Sequence, residues 1–216
     1  MANNSTELVF ILDKSGSMAG LETDTIGGFN ALLKKQKGEE GNATVTTVLF
    51  NHQSELLHDR IPINSVSPIT EREYEVGGTT ALLDAIGSTI QKIGNAQKRT
   101  REEDRADQVM FVITTDGMEN ASCEFDYRKI KEMIARQKEE YCWEFIFMGA
   151  NIDAVKTASE FGIDEDFAVN YHADEKGTEL NYKVMSETIT SFRKGQELDR
   201  SWKEDIEKDF IKRKRK

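Results

Sequence analysis

The chain has 216 residues, a net charge of −10 from 39 acidic against 29 basic side chains, and a hydrophobic content of 38%. That acidic balance argues against a general nucleic-acid binder, whose affinity comes from clustered Lys and Arg. Two cysteines, Cys123 and Cys142, are too few for a disulfide framework and read as reduced, partly buried thiols.

Mean hydropathy is −0.59, yet the apolar residues are gathered in runs, as in a globular α/β protein and unlike a disordered chain. The length fits one domain, taken as residues 1–195, with an extension at 196–216. The first residues show no basic region followed by an apolar one, and no apolar run approaches a membrane span. The expectation is a soluble, cytoplasmic protein without membrane contact.

In chain order, Leu8-Val9-Phe10-Ile11-Leu12 predicts a strand over 7–13 that is covered on both faces. It opens into Asp13-Lys14-Ser15-Gly16-Ser17-Met18, where a carboxylate and two hydroxyls, spaced by two, leave the strand end on one loop. Such hard oxygen donors suit Mg²⁺, Mn²⁺ or Ca²⁺ rather than zinc or copper. A helix is expected from about Leu21 to Lys37, with Ile26, Phe29 and Leu33 at helical spacing and Gly38 as its stop. Gly27-Gly28 weaken that helix, and close packing against the sheet is one reason for them.

Residues 43–50 and 54–61 read as strands. The link Asn51-His52-Gln53 is too short for a crossover helix, so these two strands form an antiparallel hairpin. After Gly77-Gly78-Thr79-Thr80 comes a helix from Ala81 to about Gln97, then a charged linker at 98–107. Val109 to Thr115 is a second apolar strand, and it ends in Asp116-Gly117 as the first ends in Asp13.

Residues 126–140 read as helix, 142–148 as a third central strand, 152–161 as a short helix, 167–171 as a last strand and 174–194 as a helix. This alternation predicts an α/β fold: a doubly wound, mostly parallel six-stranded sheet with one antiparallel edge strand and helices on both faces. In the extension, Leu198, Trp202, Ile206 and Phe210 recur every four residues as one helical stripe. It reads as an amphipathic helix docked on the parent domain, with a partner-binding helix as the alternative. Lys212-Arg213-Lys214-Arg215-Lys216 reads as a frayed basic tail.

Ligands of such sheets bind outside the carboxyl ends of the strands, where strand order reverses. Asp13 and Asp116 both stand at such ends, and Thr79-Thr80 bring a third loop. Asp13 alone reads rather as a helix cap or an Asx turn. The three loops together point to an oxygen-only cation site. Phosphate-binding glycine loops and a nucleophile elbow are absent from the sequence, and His52, His58 and His172 are scattered surface or turn residues. Lys14, inside the first loop, is placed at the border of the opening.

These segments resemble the three loops of a von Willebrand factor type A domain with its metal-ion-dependent adhesion site, a D-x-S-x-S loop, a threonine and a T-D-G aspartate. The resemblance covers about residues 5–193. It implies that Ser15, Ser17 and Thr80 ligate the metal and that Asp13 and Asp116 bind directly or through water. Thr80 is preferred to Thr79 because it stands six residues before Ile86, as the family threonine stands before its helix aliphatic.

The resemblance also implies the strand order 3-2-1-4-5-6 with strand 3 antiparallel, and a Rossmann-like fold. It implies a divalent cation, Mg²⁺ first, whose open position takes an Asp or Glu of a protein partner. The expected function is therefore metal-dependent protein binding without catalysis. A metal-assisted hydrolase using the same ion, or an adaptor in a larger ATPase-driven assembly, are the alternatives.

Overall fold

A computed structural model describes residues 5–214. Six strands form one sheet: β1 (Ser5–Asp13), β2 (Asn42–Phe50), β3 (Ser54–Pro62), β4 (Gln108–Thr115), β5 (Glu144–Ala150) and β6 (Ala168–Tyr171). Their spatial order is β3-β2-β1-β4-β5-β6. Only the β2–β3 pair is antiparallel, as the short link between them requires. The helices are α1 (Glu22–Lys37), α2 (Leu82–Arg99), α3 (Tyr127–Tyr141), α4 (Ala154–Glu160), α5 (Glu175–Arg193) and α6 (Glu204–Lys214).

The middles of the central strands, residues 8–12 and 109–113, are apolar because both sheet faces are covered. Successive side chains alternate between the two cores. Leu8, Phe10, Leu12, Met110, Val112, Ile146 and Met148 face the layer of α1 and α5. Val9, Ile11, Phe111, Ile113, Phe145 and Phe147 face the layer of α2, α3 and α4. Register then sets the functional end of the sheet: Leu12 pairs with Thr114, Thr115 with Gly149, and Gly149 with Asn170. The carboxyl ends of four parallel strands therefore finish in line.

Several expectations are corrected. The helix glycines do not serve the sheet. A Cβ on Gly28 would overlap the Tyr182 ring of α5, whereas one on Gly27 meets open space. Both cysteines are exposed, and Cys142 closes α3 in the left-handed conformation at φ 52°. His58 is buried rather than superficial, with its Nδ1 3.0 Å from the Thr47 hydroxyl.

The stripe in the extension is not one helix. Leu198 precedes a 3-10 turn, Arg200–Lys203, that leads into α6. Its residues still dock on the body: Ile206 is buried, Leu198 and Trp202 lie against the same core, and Phe210 stacks on His172 with centroids 4.6 Å apart. Lys203 is buried as well, and its Nζ donates to the carbonyls of Glu165 (2.5 Å) and Ala168 (2.8 Å). The basic stretch is helical through Lys214 rather than frayed; its last two positions, and residues 1–4 of the expected domain, lie outside the described residues. Among the described residues no helix is long and apolar enough to cross a membrane.

The glycine pair yields a paired prediction. Gly27→Ala should stabilise the chain by about 0.5–1 kcal/mol through helix propensity. Gly28→Ala should destabilise it by about 1–3 kcal/mol through overpacking on Tyr182. Urea denaturation reads both, and shifts of equal sign would contradict this account of α1 on α5.

Candidate metal centre

Asp13 is the last residue of β1 and is buried. Its Oδ1 accepts the Ser15 backbone N–H at 2.7 Å, and its Oδ2 accepts the Thr115 hydroxyl at 2.6 Å. Its carbonyl accepts the Tyr74 hydroxyl. One side chain thus turns the 13–17 loop and ties the ends of two neighbouring strands. Burial pushes the Asp13 carboxyl up, and the bonds from Thr115 and Ser15 hold part of that back.

The next two donors follow from the turn. Ser15 is buried, Ser17 is exposed, and their hydroxyls lie 3.0 Å apart. The Gly77–Thr80 segment is laced to this loop through the backbone: Gly77 N donates to the Lys14 carbonyl (2.9 Å) and Gly16 N to the Gly78 carbonyl (3.0 Å). Gly78 takes φ 81°, and the His52 ring occupies the place where its Cβ would sit. Thr80 is buried while Thr79 is exposed. Thr80 is held on both sides by Asn120, whose Oδ1 accepts Thr80 N (2.9 Å) and whose own N donates to the Thr80 carbonyl (3.0 Å).

Gly117 locates the point on which these groups converge. Its would-be Cβ lies 2.9 Å from Ser17 Oγ, 2.9 Å from Thr80 Oγ1 and 3.5 Å from Ser15 Oγ. Three hydroxyls therefore ring a small space that any side chain at position 117 would invade. Asp116, adjacent in sequence, is buried, and neither of its carboxylate oxygens has a hydrogen-bond partner. Burial is the main cause that raises its pKa and Asp13 adds to it; the nearby Ser17 and Asn151 side chains pull the other way.

A buried carboxylate without a donor is costly unless a cation or proton compensates it. The donor set, hydroxyls and carboxylates only, fits a hard divalent ion. Among the described residues no group of three or more His, Cys, Asp and Glu is placed to hold a metal ion, so the candidate site draws its donors from hydroxyls as well as carboxylates.

The structure thus gathers Asp13, Ser15, Ser17, Thr80 and Asp116 at one end of the sheet, and of the two threonines Thr80 is the buried one. Lys14 does not border the opening; its Nζ is tied to Glu55 (2.7 Å) and to the Glu73 carbonyl (3.3 Å) at the hairpin edge. Sequence reasoning missed the supports. Thr115 stood next to Asp116 as the last residue of the second apolar strand, but Tyr74 and Asn120 carry no spacing that marks them. The 118–125 loop is also held from α2. Glu119 accepts Leu83 N at 2.9 Å, and Asp84 accepts the N–H groups of Cys123, Glu124 and Phe125 at 2.8–2.9 Å.

No protein-family model and no curated protein matches the sequence. Solved structures do match the fold. The von Willebrand factor domain of the type V pili tip protein Mfa5 from Porphyromonas gingivalis aligns with TM-score 0.59 at 11% identity, over 85% of this chain and 94% of that one. A von Willebrand factor type A protein from Catenulispora acidiphila aligns with TM-score 0.58 at 13% identity, over 87% of this chain and 43% of that one. Manganese-loaded TRAP protein from Plasmodium vivax aligns with TM-score 0.55 at 19% identity, over 83% and 72%. This chain spans only 43–61% of the longer matched chains. At such identities the likeness shows the fold alone: the chain carries the von Willebrand factor type A fold.

Thr115→Val keeps the shape at the strand end but removes the donor to Asp13 Oδ2. Metal-free chain should lose about 1–3 kcal/mol in urea denaturation, and Thr115→Ser should recover most of it. Unchanged stability in the valine variant would show that Asp13 does not rely on this bond.

Proposed function

We propose that the chain is a protein-binding module that captures a partner's Asp or Glu through a divalent cation held at the carboxyl end of its sheet. The observation that carries this reading is Asp116, a buried carboxylate without a partner beside three convergent hydroxyls. Ser15, Ser17, Thr80 and Asp116 would hold the ion, and Asp13 would join them directly or through water. Mg²⁺ is the first choice; Mn²⁺ and Ca²⁺ share its preference for oxygen, and one structural neighbour is manganese-loaded.

When bound, the ion supplies Lewis-acid attraction for an external carboxylate. The residues of the chain do the rest. Asp13 spends both oxygens on Thr115 and Ser15, so it shapes the loop more than it neutralises charge. That leaves Asp116 as the less committed of the two anions, in a ligand set with little formal charge that keeps affinity for an outside acid. We read this as binding rather than hydrolysis: none of the five site residues is a histidine, and Asp116, the one base among them without a hydrogen-bond partner, would be occupied as a ligand of the ion.

Calorimetric titration with MnCl₂ tests the site. Asp116→Ala should abolish binding, and Thr80→Ala should weaken it by at least about tenfold while Thr79→Ala leaves it unchanged. Gly117→Ala places a methyl group among the three hydroxyls and should abolish binding in a chain that still folds by circular dichroism. Wild-type affinity in Asp116→Ala and Gly117→Ala would refute the site. Partner capture that survives EDTA would refute the mechanism.

A further inference from the structure

The last turn of α6 bears on the same end of the sheet as the metal centre. Register puts Gly149 opposite Thr115 and Tyr171 opposite Ala150, so Tyr171 ends β6 level with Asp116 and His172 lies one residue beyond. His172 Nε2 lies 3.1 Å from the Phe210 carbonyl, and the two rings stack. Just before the helix, Lys203 of the 3-10 turn donates to the carbonyl of Ala168 at the start of β6. Helix α6 therefore runs parallel to β6, and its residues after Phe210 rise past the carboxyl end of the sheet. Each residue adds about 1.5 Å, which carries Lys212 and Lys214 beyond the level of the strand ends.

This turn is firmly mounted. Arg213 is anchored to Asp174 (2.5 Å) and Asp209 (2.7 Å), and Lys176 also pairs with Asp209 (3.4 Å). Lys212 and Lys214 are exposed, and neither has an ion pair among the described residues; Lys214 lies over the Phe210 ring at 5.6 Å. Ile211 beside them is 54% exposed. The sequence continues with Arg215 and Lys216, giving five consecutive cations in a chain of net charge −10. Lys212 and Lys214, exposed on an acidic body, are complementary to an anionic partner.

We propose that this basic turn is a second contact for the protein partner, and that its ligand is an acidic segment of the same protein that presents a carboxylate to the metal centre. The inference rests on the function proposed above. The lateral reach is compatible: β6 lies two strands from β4, about 10 Å in the sheet plane. A common interface of about 800 Å² per partner, roughly 30 Å across, covers both. The separation exceeds the Debye length of about 8 Å at physiological salt, so the two contacts act as linked, separate sites and strengthen each other through effective concentration.

The test uses two fluorescein-labelled peptides in anisotropy titrations with Mg²⁺ and with EDTA. One carries a single Glu in a Gly/Ser background; the other joins the same Glu through a Gly/Ser spacer to a run of Asp. The bipartite peptide should bind at least about tenfold more tightly in Mg²⁺. Lys212→Glu combined with Lys214→Glu should remove that gain, leave the single-Glu peptide unchanged, and weaken the salt dependence.

A double variant with undiminished affinity for the bipartite peptide overturns the proposal, as does failure of both peptides to bind. Dependence on Lys212 and Lys214 that persists in EDTA, with no effect of Mg²⁺, upholds the acidic-segment contact while the metal reading falls. Equal displacement by single-stranded DNA of matched charge, or Mg²⁺-dependent self-association that requires Lys212 and Lys214 in sedimentation, would assign the turn to nucleic acid or to a second copy and overturn it.

Discussion

The site hangs on the side chain of Asp13. Its two oxygens bind the Thr115 hydroxyl across the β1–β4 seam and the Ser15 N–H in its own loop. Its carbonyl receives Tyr74 from a third segment. The two most buried strands of the sheet therefore meet their loops through one carboxylate. Without it the 13–17 turn would lose its fold-back, and Ser15 and Ser17 would have no fixed place relative to Thr80. The backbone bridges from Gly77 and Gly16 build on that turn, since they lace the second loop to the first.

Around this clamp the two aspartates divide the work. Asp13 is satisfied within the protein and acts as scaffold. Asp116 is buried, and its carboxylate oxygens are unsatisfied. The fold tolerates that because the sheet, with two packed faces and few irregularities, holds the strand ends in register. The third element is an omission: Gly117 leaves open the space that the hydroxyls surround. Local cost at one carboxylate is what a cation can relieve.

Much of this was legible in the sequence because it depends on local pattern. Continuous apolar runs at 8–12 and 109–113 mark strands buried on both faces, and a three-residue link forces a hairpin. The five oxygen donors stand in short motifs at strand and helix ends, and the structure brings those five together. What could not be read depends on contacts between distant positions. Thr115 meets Asp13 across 102 residues, Tyr74 across 61, and Asn120 meets Thr80 across 40. Gly28 serves Tyr182 on another helix, which its own helix cannot announce. The stripe from Leu198 to Phe210 misleads for a related reason: a 3-10 turn followed by a helix also returns side chains to one side, and Asp199 capping Ser201 N at 2.7 Å begins that turn.

The central claim is that a hard divalent cation sits among Ser15, Ser17, Thr80 and Asp116. Diffraction from Mn²⁺-soaked crystals at the manganese absorption edge tests it most directly. The account predicts one strong anomalous peak within about 2.0–2.6 Å of the Ser15, Ser17 and Thr80 hydroxyl oxygens or of Asp116, with ordered water completing the shell. A peak elsewhere, or no peak at this end of the sheet at saturating Mn²⁺, would contradict it.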